Sequence, residues 1–288
     1  MLFNMIKTTI LLAILSSFLC LIGGLIGGAQ GIQMALFMSL IMNGIAFFFS
    51  DKIVLSLYKA QPLDKSKYGP IYETVEELAH TMRLPMPKLW LVQTPVANAF
   101  ATGRNPQNAS IAVTTGILNI VDAEELRGVL AHELAHVKNR DTLITTIAAT
   151  IAAAIGYLAT MLRYRAMWGS ESSERRKDNP FVLILVSILM PFAATLIQLA
   201  ISRSREYAAD ETGARCSHDP LALASALQKL EDNVKFAHMD SNNPQHTSTA
   251  SLFIVHPFAG HSLSNLFATH PPMKSRIARL HQLSKKMF

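Results

Sequence analysis

Ala131-His132-Glu133-Leu134-Ala135-His136 is the stretch on which the reading of this chain turns. Two histidines four residues apart in a helix lie on one face, about one turn apart. That is the bite two ligands of a tetrahedral zinc ion require. Glu133 projects from a neighbouring position, close enough to hold a metal-activated water and take its proton. The flanking residues support a helix. Asp122 with Glu125 three residues on reads as a capping box, and Leu126, Val129, Leu130 and Leu134 follow at helical spacing. The plainer alternative is a surface helix carrying two solvated histidines.

Working outward, residues 70–84 show Ile71, Val75, Leu78, Ala79 and Met82 at helical spacing. Residues 88–93 read as a strand. Asn98-Ala99-Phe100-Ala101-Thr102-Gly103 and Ser110–Thr115 read as a hairpin across a polar turn through Pro106. A zinc site needs a third ligand, and Lys138, Asn139 and Arg140 offer none on the same helix. The best candidate is Glu206 in Ser204-Arg205-Glu206-Tyr207-Ala208-Ala209-Asp210. Glu206 and Asp210 share a helix face, so one can bind zinc while the other hydrogen-bonds a ligand imidazole. Taken alone, that pair reads as an ordinary acidic face. The remaining helices are expected over 203–212, ending at Gly213, over 220–238, and from Pro271–Pro272 to the C-terminus. Residues 239–268, rich in Ser, Asn, His and Pro, read as a long loop. The other histidines (His80, His218, His238, His246, His256, His261 and His281) lack ligand spacing.

Composition says where this chemistry is housed. Half of the 288 residues are AVILMFWYC and only 16% are charged, against roughly 25% in a soluble globule. Disorder, a coiled coil and a charged tail are excluded. The net charge of +6 does not indicate a nucleic-acid partner, because the basic residues are spread between apolar runs without aromatic interleaving. Cys20 sits in an apolar run and Cys216 in a polar stretch, so there is no disulfide framework. From Thr8 to Ser50 no residue is charged. That is room for two spans of about 20 residues, near 8–26 and 32–50, with a glycine-rich turn between. A second uncharged pair, 142–162 and 179–202, carries Pro191 as a kink. The chain therefore divides into a transmembrane hairpin (1–50), a first catalytic half (51–141), a second hydrophobic hairpin (142–202) and a second catalytic half (203–288).

Taken together, the two N-terminal spans, Asn98–Gly103, His132–His136, the second apolar pair, Ser204–Asp210 and Thr269-His270-Pro271-Pro272 resemble the HtpX-type membrane metalloproteases. These are bacterial relatives of the CAAX prenyl endopeptidases. The resemblance covers nearly the whole chain. It implies one zinc ion held by His132, His136 and Glu206, with Glu133 as catalytic base. It also implies quality control of bacterial inner-membrane proteins. The fold expected is a mainly α integral membrane protein, with four candidate transmembrane helices and a cytosolic, zincin-like α+β metallopeptidase domain. In the related endopeptidases residues like His270 and Arg276 approach the zinc site, where they would polarise the scissile carbonyl or its oxyanion. Asp210 is the candidate partner of a ligand imidazole. Asn98, Ala99, Phe100 and Ala101 look like the edge strand to which an extended substrate adds its backbone. The expected partners are the lipid bilayer and protein or peptide substrates.

Two other readings compete: a hydrolase of prenylated substrates, and a membrane scaffold or transporter that binds zinc without turnover. All four candidate spans are free of Asp, Glu, Lys, Arg and His, which argues against a transport pathway. Residues 51–141 carry ten Lys and Arg, which places the catalytic half in the cytosol. Arg163, Arg165, Arg175, Arg176 and Lys177 between the later pair oppose export of that loop, so the sequence pulls both ways on whether 142–202 crosses.

Overall fold

The structure is a computed structural model that describes residues 2–168, 203–236, 252–255 and 271–287. Helix α1 (Leu2–Leu57) is two helices joined at Gly27 and Gly28, where Gly28 takes φ +57°. The chain reverses there. Gly23 and Gly31 approach so closely that a Cβ on Gly23 would lie 2.4 Å from the Gly31 carbonyl oxygen. Further along, Asn43 Nδ2 donates to Ser16 Oγ at 2.9 Å. This is the hairpin expected from the apolar pattern. Its outer surface exposes Ile10, Leu21, Met34, Phe37, Leu40 and Phe48, a face suited to hydrocarbon rather than water. Among the described residues one helix, Gly27–Leu57, is long and apolar enough to cross a membrane, while Thr8–Leu21 and Thr142–Ile155 are shorter apolar helices. The expected fourth span, 179–202, lies outside the described residues.

Between the hydrophobic elements lies a mixed α+β unit. A sheet of four strands runs in the order β1 (Gln61–Pro62), β2 (Lys88–Val92), β4 (Ser110–Thr114), β3 (Ala99–Thr102). β3 and β4 form the expected antiparallel hairpin, with Phe100 opposite Ala112. β2 pairs parallel to β4, a register that residue alternation does not specify. Helix α2 (Gly69–Met82) buries Ile71, Val75, Leu78, Ala79 and Met82. A short α3 (Thr115–Ile120) precedes α4 (Ala123–Asn139), which opens with both hydrogen bonds of the Asp122–Glu125 capping box. Then follow α5 (Thr142–Trp168), α6 (Arg203–Ser217), α7 (Pro220–Phe236) and α8 (Met273–Met287).

One expectation is corrected here. Gly213 does not end its helix, because α6 continues to Ser217. It is a close-approach glycine instead: a Cβ there would sit 2.8 Å from His132 N and 2.9 Å from His132 Cα. The absent side chain lets α6 lie directly on α4. Leu130, Leu134, Ala214, Leu223, Leu227 and Leu280 share the core around that contact. The first half of α5 packs Ile144, Ile147, Ala148 and Ile151 against Leu11, Leu15 and Ala46 of α1.

Candidate active site

Helix α4 is cut off after the second histidine by Arg140, which adopts the left-handed conformation (φ 58°) and caps the helix through its backbone N–H. The turn brings Asp141 back beneath His136, 3.4 Å from Nδ1. On the other side, α6 supplies Asp210, 3.0 Å from His132 Nδ1. Each imidazole thus has a carboxylate behind Nδ1, which favours the tautomer that turns an Nε2 lone pair to the front. The front atoms converge. His132 Nε2 and His136 Nε2 are 3.2 Å apart, and Glu206 reaches within 3.5 Å of His136 Nε2 and 3.8 Å of His132 Nε2. Tetrahedral zinc bonded to nitrogen at about 2.0–2.1 Å sets its ligand atoms about 3.3–3.4 Å apart. The triangle fits such an ion. Two lone pairs facing each other beside a carboxylate also call for a cation between them. Among the described residues this is the one group of three His, Cys, Asp or Glu side chains able to share a metal ion.

The electrostatics agree. His132 is buried, and desolvation holds its pKa below the usual imidazole value despite Asp210. Burial also opposes charge on His136, but Asp141, Glu206 and Glu133 outweigh it and raise its pKa to about 9. A cluster of carboxylates that holds a proton on a buried imidazole is one that attracts positive charge. Glu133 is 4% exposed. Burial pushes its carboxyl up to about 7, against the pull of His136, and Glu206 raises it further. The N–H of Ala101 donates to this carboxylate.

That last bond ties the base to β3. Thr114 N–H donates to the Asn98 carbonyl at 3.0 Å, so by alternation Phe100 faces β4 while the N–H and C=O groups of Ala99 and Ala101 point off the sheet. β3 ends the sheet. Its far end is closed by α5, where Thr142 Oγ1 donates to the Gly103 carbonyl at 2.9 Å and the Thr102 and Thr146 hydroxyls meet at 3.0 Å. The outward groups of Ala101 therefore lie beside the ligand triangle, whereas Ala99 is fully buried. Phe100, Ala101, His132, Glu133, His136 and Glu206 line a common cleft.

Residues 65–284 match the model of peptidase family M48. The chain belongs to peptidase family M48. It is a metalloendopeptidase by that membership. Curated relatives agree over nearly full length. A protease HtpX homolog of Syntrophobacter fumaroxidans is 50% identical over 96% of this chain and 98% of its own. One of Methylibium petroleiphilum is 48% identical over 96% and 97%. The M48 chain also shares a fold with the crystal structure of S. mikatae Ste24p, at TM-score 0.51 and 19% identity. That alignment covers 97% of this chain and 66% of the longer one.

Of the residues singled out from the sequence, the structure of this M48 peptidase brings together His132, Glu133, His136, Glu206, Asp210, Arg276, Phe100 and Ala101, while Asn98 and Ala99 are buried and do not line the cleft. His270 lies outside the described residues. Arg276 is fully buried and holds Asp210 with two bonds, Nε at 2.8 Å and Nη2 at 2.7 Å. Its Nη1 is 3.6 Å from Glu206. Its Nη2 lies 3.4 Å from His132 Nε2, so the guanidinium reaches the ligand atoms themselves although it does not line the cleft. Two parts of the site were not anticipated. Asp141 was missed because its approach depends on the left-handed turn at Arg140. Leu252–Ile254 line the cleft from inside a stretch that reads as loop.

Proposed function

We propose that this chain is a zinc endopeptidase of the bacterial cytoplasmic membrane, its catalytic site facing the cytosol, that cleaves misfolded or damaged membrane proteins. The observation that carries the proposal is the position of Glu133. It is a carboxyl raised to about 7, fixed by the Ala101 N–H, beside a His-His-Glu triangle and along the outward edge of a strand. His132, His136 and Glu206 would hold the metal. Zinc bound there supplies Lewis-acid polarisation of a carbonyl and lowers the pKa of a water towards neutrality.

The chain's own residues do the rest. An extended substrate meets the edge of β3 at the Ala101 C=O, which sets its peptide bond beside Glu133. Asn98 uses Oδ1 to accept the Ile254 N–H. Its Nδ2 is buried without a partner among the described residues. Glu133 takes a proton from the attacking water and returns it to the leaving amine, and a pKa near 7 suits both transfers. Arg276 keeps Asp210 ionised, and Asp210 in turn orients His132; Asp141 does the same for His136. The exposed apolar surface of α1 and the positive bias of 51–141 support membrane anchoring with the site in the cytosol. One zinc ion per chain is required.

The test uses full-length protein extracted in mild detergent and incubated with casein. Cleavage with zinc supplied, lost on chelation and restored by zinc, is the expected result. No cleavage, or cleavage indifferent to a chelator, contradicts the proposal.

A further inference from the structure

Helix α1 changes character within two turns after Phe48. No residue from Thr8 to Ser50 is charged, and Asp51 and Lys52 follow at once. Phe48 stands twenty positions after the reversal at Gly28, about 30 Å of helix and one hydrocarbon thickness. Phe47, Phe48 and Phe49 are 36%, 55% and 48% exposed. Further on, Val54 and Leu55 share a buried cluster with Phe100 of β3. The lipid-facing part of α1 therefore ends between Phe49 and Val54. It ends in a belt of aromatic rings, as membrane proteins place them at the boundary between hydrocarbon and water.

Two elements bring cations to that belt. Lys52 is exposed, and its Nζ lies 5.4 Å from the centroid of the Phe49 ring. Arg104 comes from the turn between β3 and β4, and its Cζ lies 5.5 Å from the centroid of the Phe48 ring. Phe48 and Lys52, four residues apart, share one face of α1. That face continues back through Ile45 and Ile41, both exposed. Asp51 is the single acid between Thr8 and Leu63, and the turn Gly103–Ala109 contains none. A face that is apolar along its length and cationic at its end complements a phospholipid of negative charge. The acyl chain would follow Ile41, Ile45 and Phe48, and the phosphate would meet Lys52 and Arg104. Arg104 is also tied to the cleft. It stands three residues after Ala101, whose N–H holds Glu133. Its neighbour Gly103 accepts a hydrogen bond from Thr142, which lines the cleft.

We infer that Lys52 and Arg104 form a binding site for the headgroup of an anionic phospholipid, which seats the β3–β4 turn, and with it the Ala101 side of the cleft, on the membrane surface. The inference rests on the membrane-anchored reading above and goes beyond it. An apolar helix anchors in a bilayer of any charge, whereas this site selects lipid charge and fastens the catalytic unit itself.

The experiment is native mass spectrometry on full-length protein in mild detergent, titrated with phosphatidylglycerol or with phosphatidylcholine. The readout is the ratio of the two affinities, which requires no turnover. Wild type is expected to prefer phosphatidylglycerol. Arg104→Gln and Lys52→Gln should each cut that preference about 5-fold, the worth of one cation at an anionic lipid surface, and the double variant should lose it. Arg104→Lys, which keeps the charge, should keep the preference. Lys285→Gln, which removes an exposed cation on α8, should leave it unchanged. Glycerol phosphate, the soluble headgroup, should fail to displace phosphatidylglycerol at equal concentration; displacement by it would make this a site for free phosphate and overturn the assignment. A wild-type ratio near one, or a preference that Arg104→Gln and Lys52→Gln leave intact, overturns the inference while leaving the membrane-anchored reading intact. Wild-type protein that stays dispersed without detergent or lipid overturns that reading itself.

Discussion

Gly213→Ala should cost this protein its metal before it costs it its fold. The added Cβ would meet only backbone: His132 N at 2.8 Å, His132 Cα at 2.9 Å and Ala131 C at 3.1 Å. No side-chain tip is there to rotate away. Restoring an ordinary 3.4 Å contact requires α6 to move off α4 by about 0.6 Å, the difference between 3.4 and 2.8 Å. Glu206 rides on the same helix two turns earlier, so it is carried from His132 and His136 by a similar amount. Metal–ligand distances tolerate only about 0.2 Å. Zinc affinity should therefore fall about 10–100-fold, the range seen when a ligand's support is lost. The fold should survive with a loss of about 1–2 kcal/mol: overpacking costs about 1–3 kcal/mol, and alanine returns up to about 1 kcal/mol of helix propensity. The assay is competition for zinc against a chromophoric chelator, with thermal unfolding measured on the same sample. Gly128→Ala is the control. Its Cβ would press on Leu223 at 3.1 Å, on the α7 side of α4, so it should lower stability and leave affinity alone. Wild-type zinc affinity in Gly213→Ala would refute the reasoning.

The remaining predictions concern the ligands and the topology. Glu206→Ala should lose most of its zinc by metal analysis, whereas Asp210→Asn should weaken affinity only about 10–100-fold. Asp210 also carries a pH signature in the zinc-free protein. Burial raises its pKa, but Arg276 overrides that and holds the carboxyl at about 2, below its ordinary 3.8. A depressed acid stabilises the fold above the unfolded pKa and loses that contribution as pH falls. The stability gap between wild type and Asp210→Asn should thus shrink between about pH 4 and pH 2, by about 2 kcal/mol; a gap that stays constant across that range contradicts the pairing. For topology, one metal shared by His136 and Glu206 means the chain between them crosses the bilayer twice or not at all. The uncharged lengths 142–162 and 179–202 favour two crossings. A cysteine at Ser172, in a Cys20→Ala, Cys216→Ala background, should react with a membrane-impermeant thiol reagent in intact cells with a permeabilised outer membrane. Labelling only after lysis rules out two crossings.

What could be read from the chain is what depends on neighbours in sequence. The capping box at Asp122 and Glu125, the His132–His136 pair and the Glu206–Asp210 face are all settled within one or two helical turns. The β3–β4 hairpin needs only a polar turn and β-branched alternation. What escaped depends on contacts from far away or on single backbone angles. The parallel pairing of β2 with β4 leaves no local mark, since each strand alone reads the same in either direction. β1 is two residues long and includes Pro62, too short to show alternation. Gly213 carries the local signature of a helix end, and only the proximity of α4 gives it another use. Asp141 reaches His136 because Arg140 takes φ 58°, a conformation that an arginine does not advertise. Leu252–Val255 reads as loop by composition, yet it is buried through Asn98, Arg276 and Tyr58, which are distant in sequence.

The most direct measurement of the central claim is Glu133→Gln in full-length, detergent-solubilised protein, with zinc content and casein cleavage determined on the same preparation. The side chain lies in the cleft and outside the ligand triangle, so the account predicts wild-type zinc with proteolysis abolished. Zinc lost along with activity, or casein still cut at the wild-type rate, would contradict it.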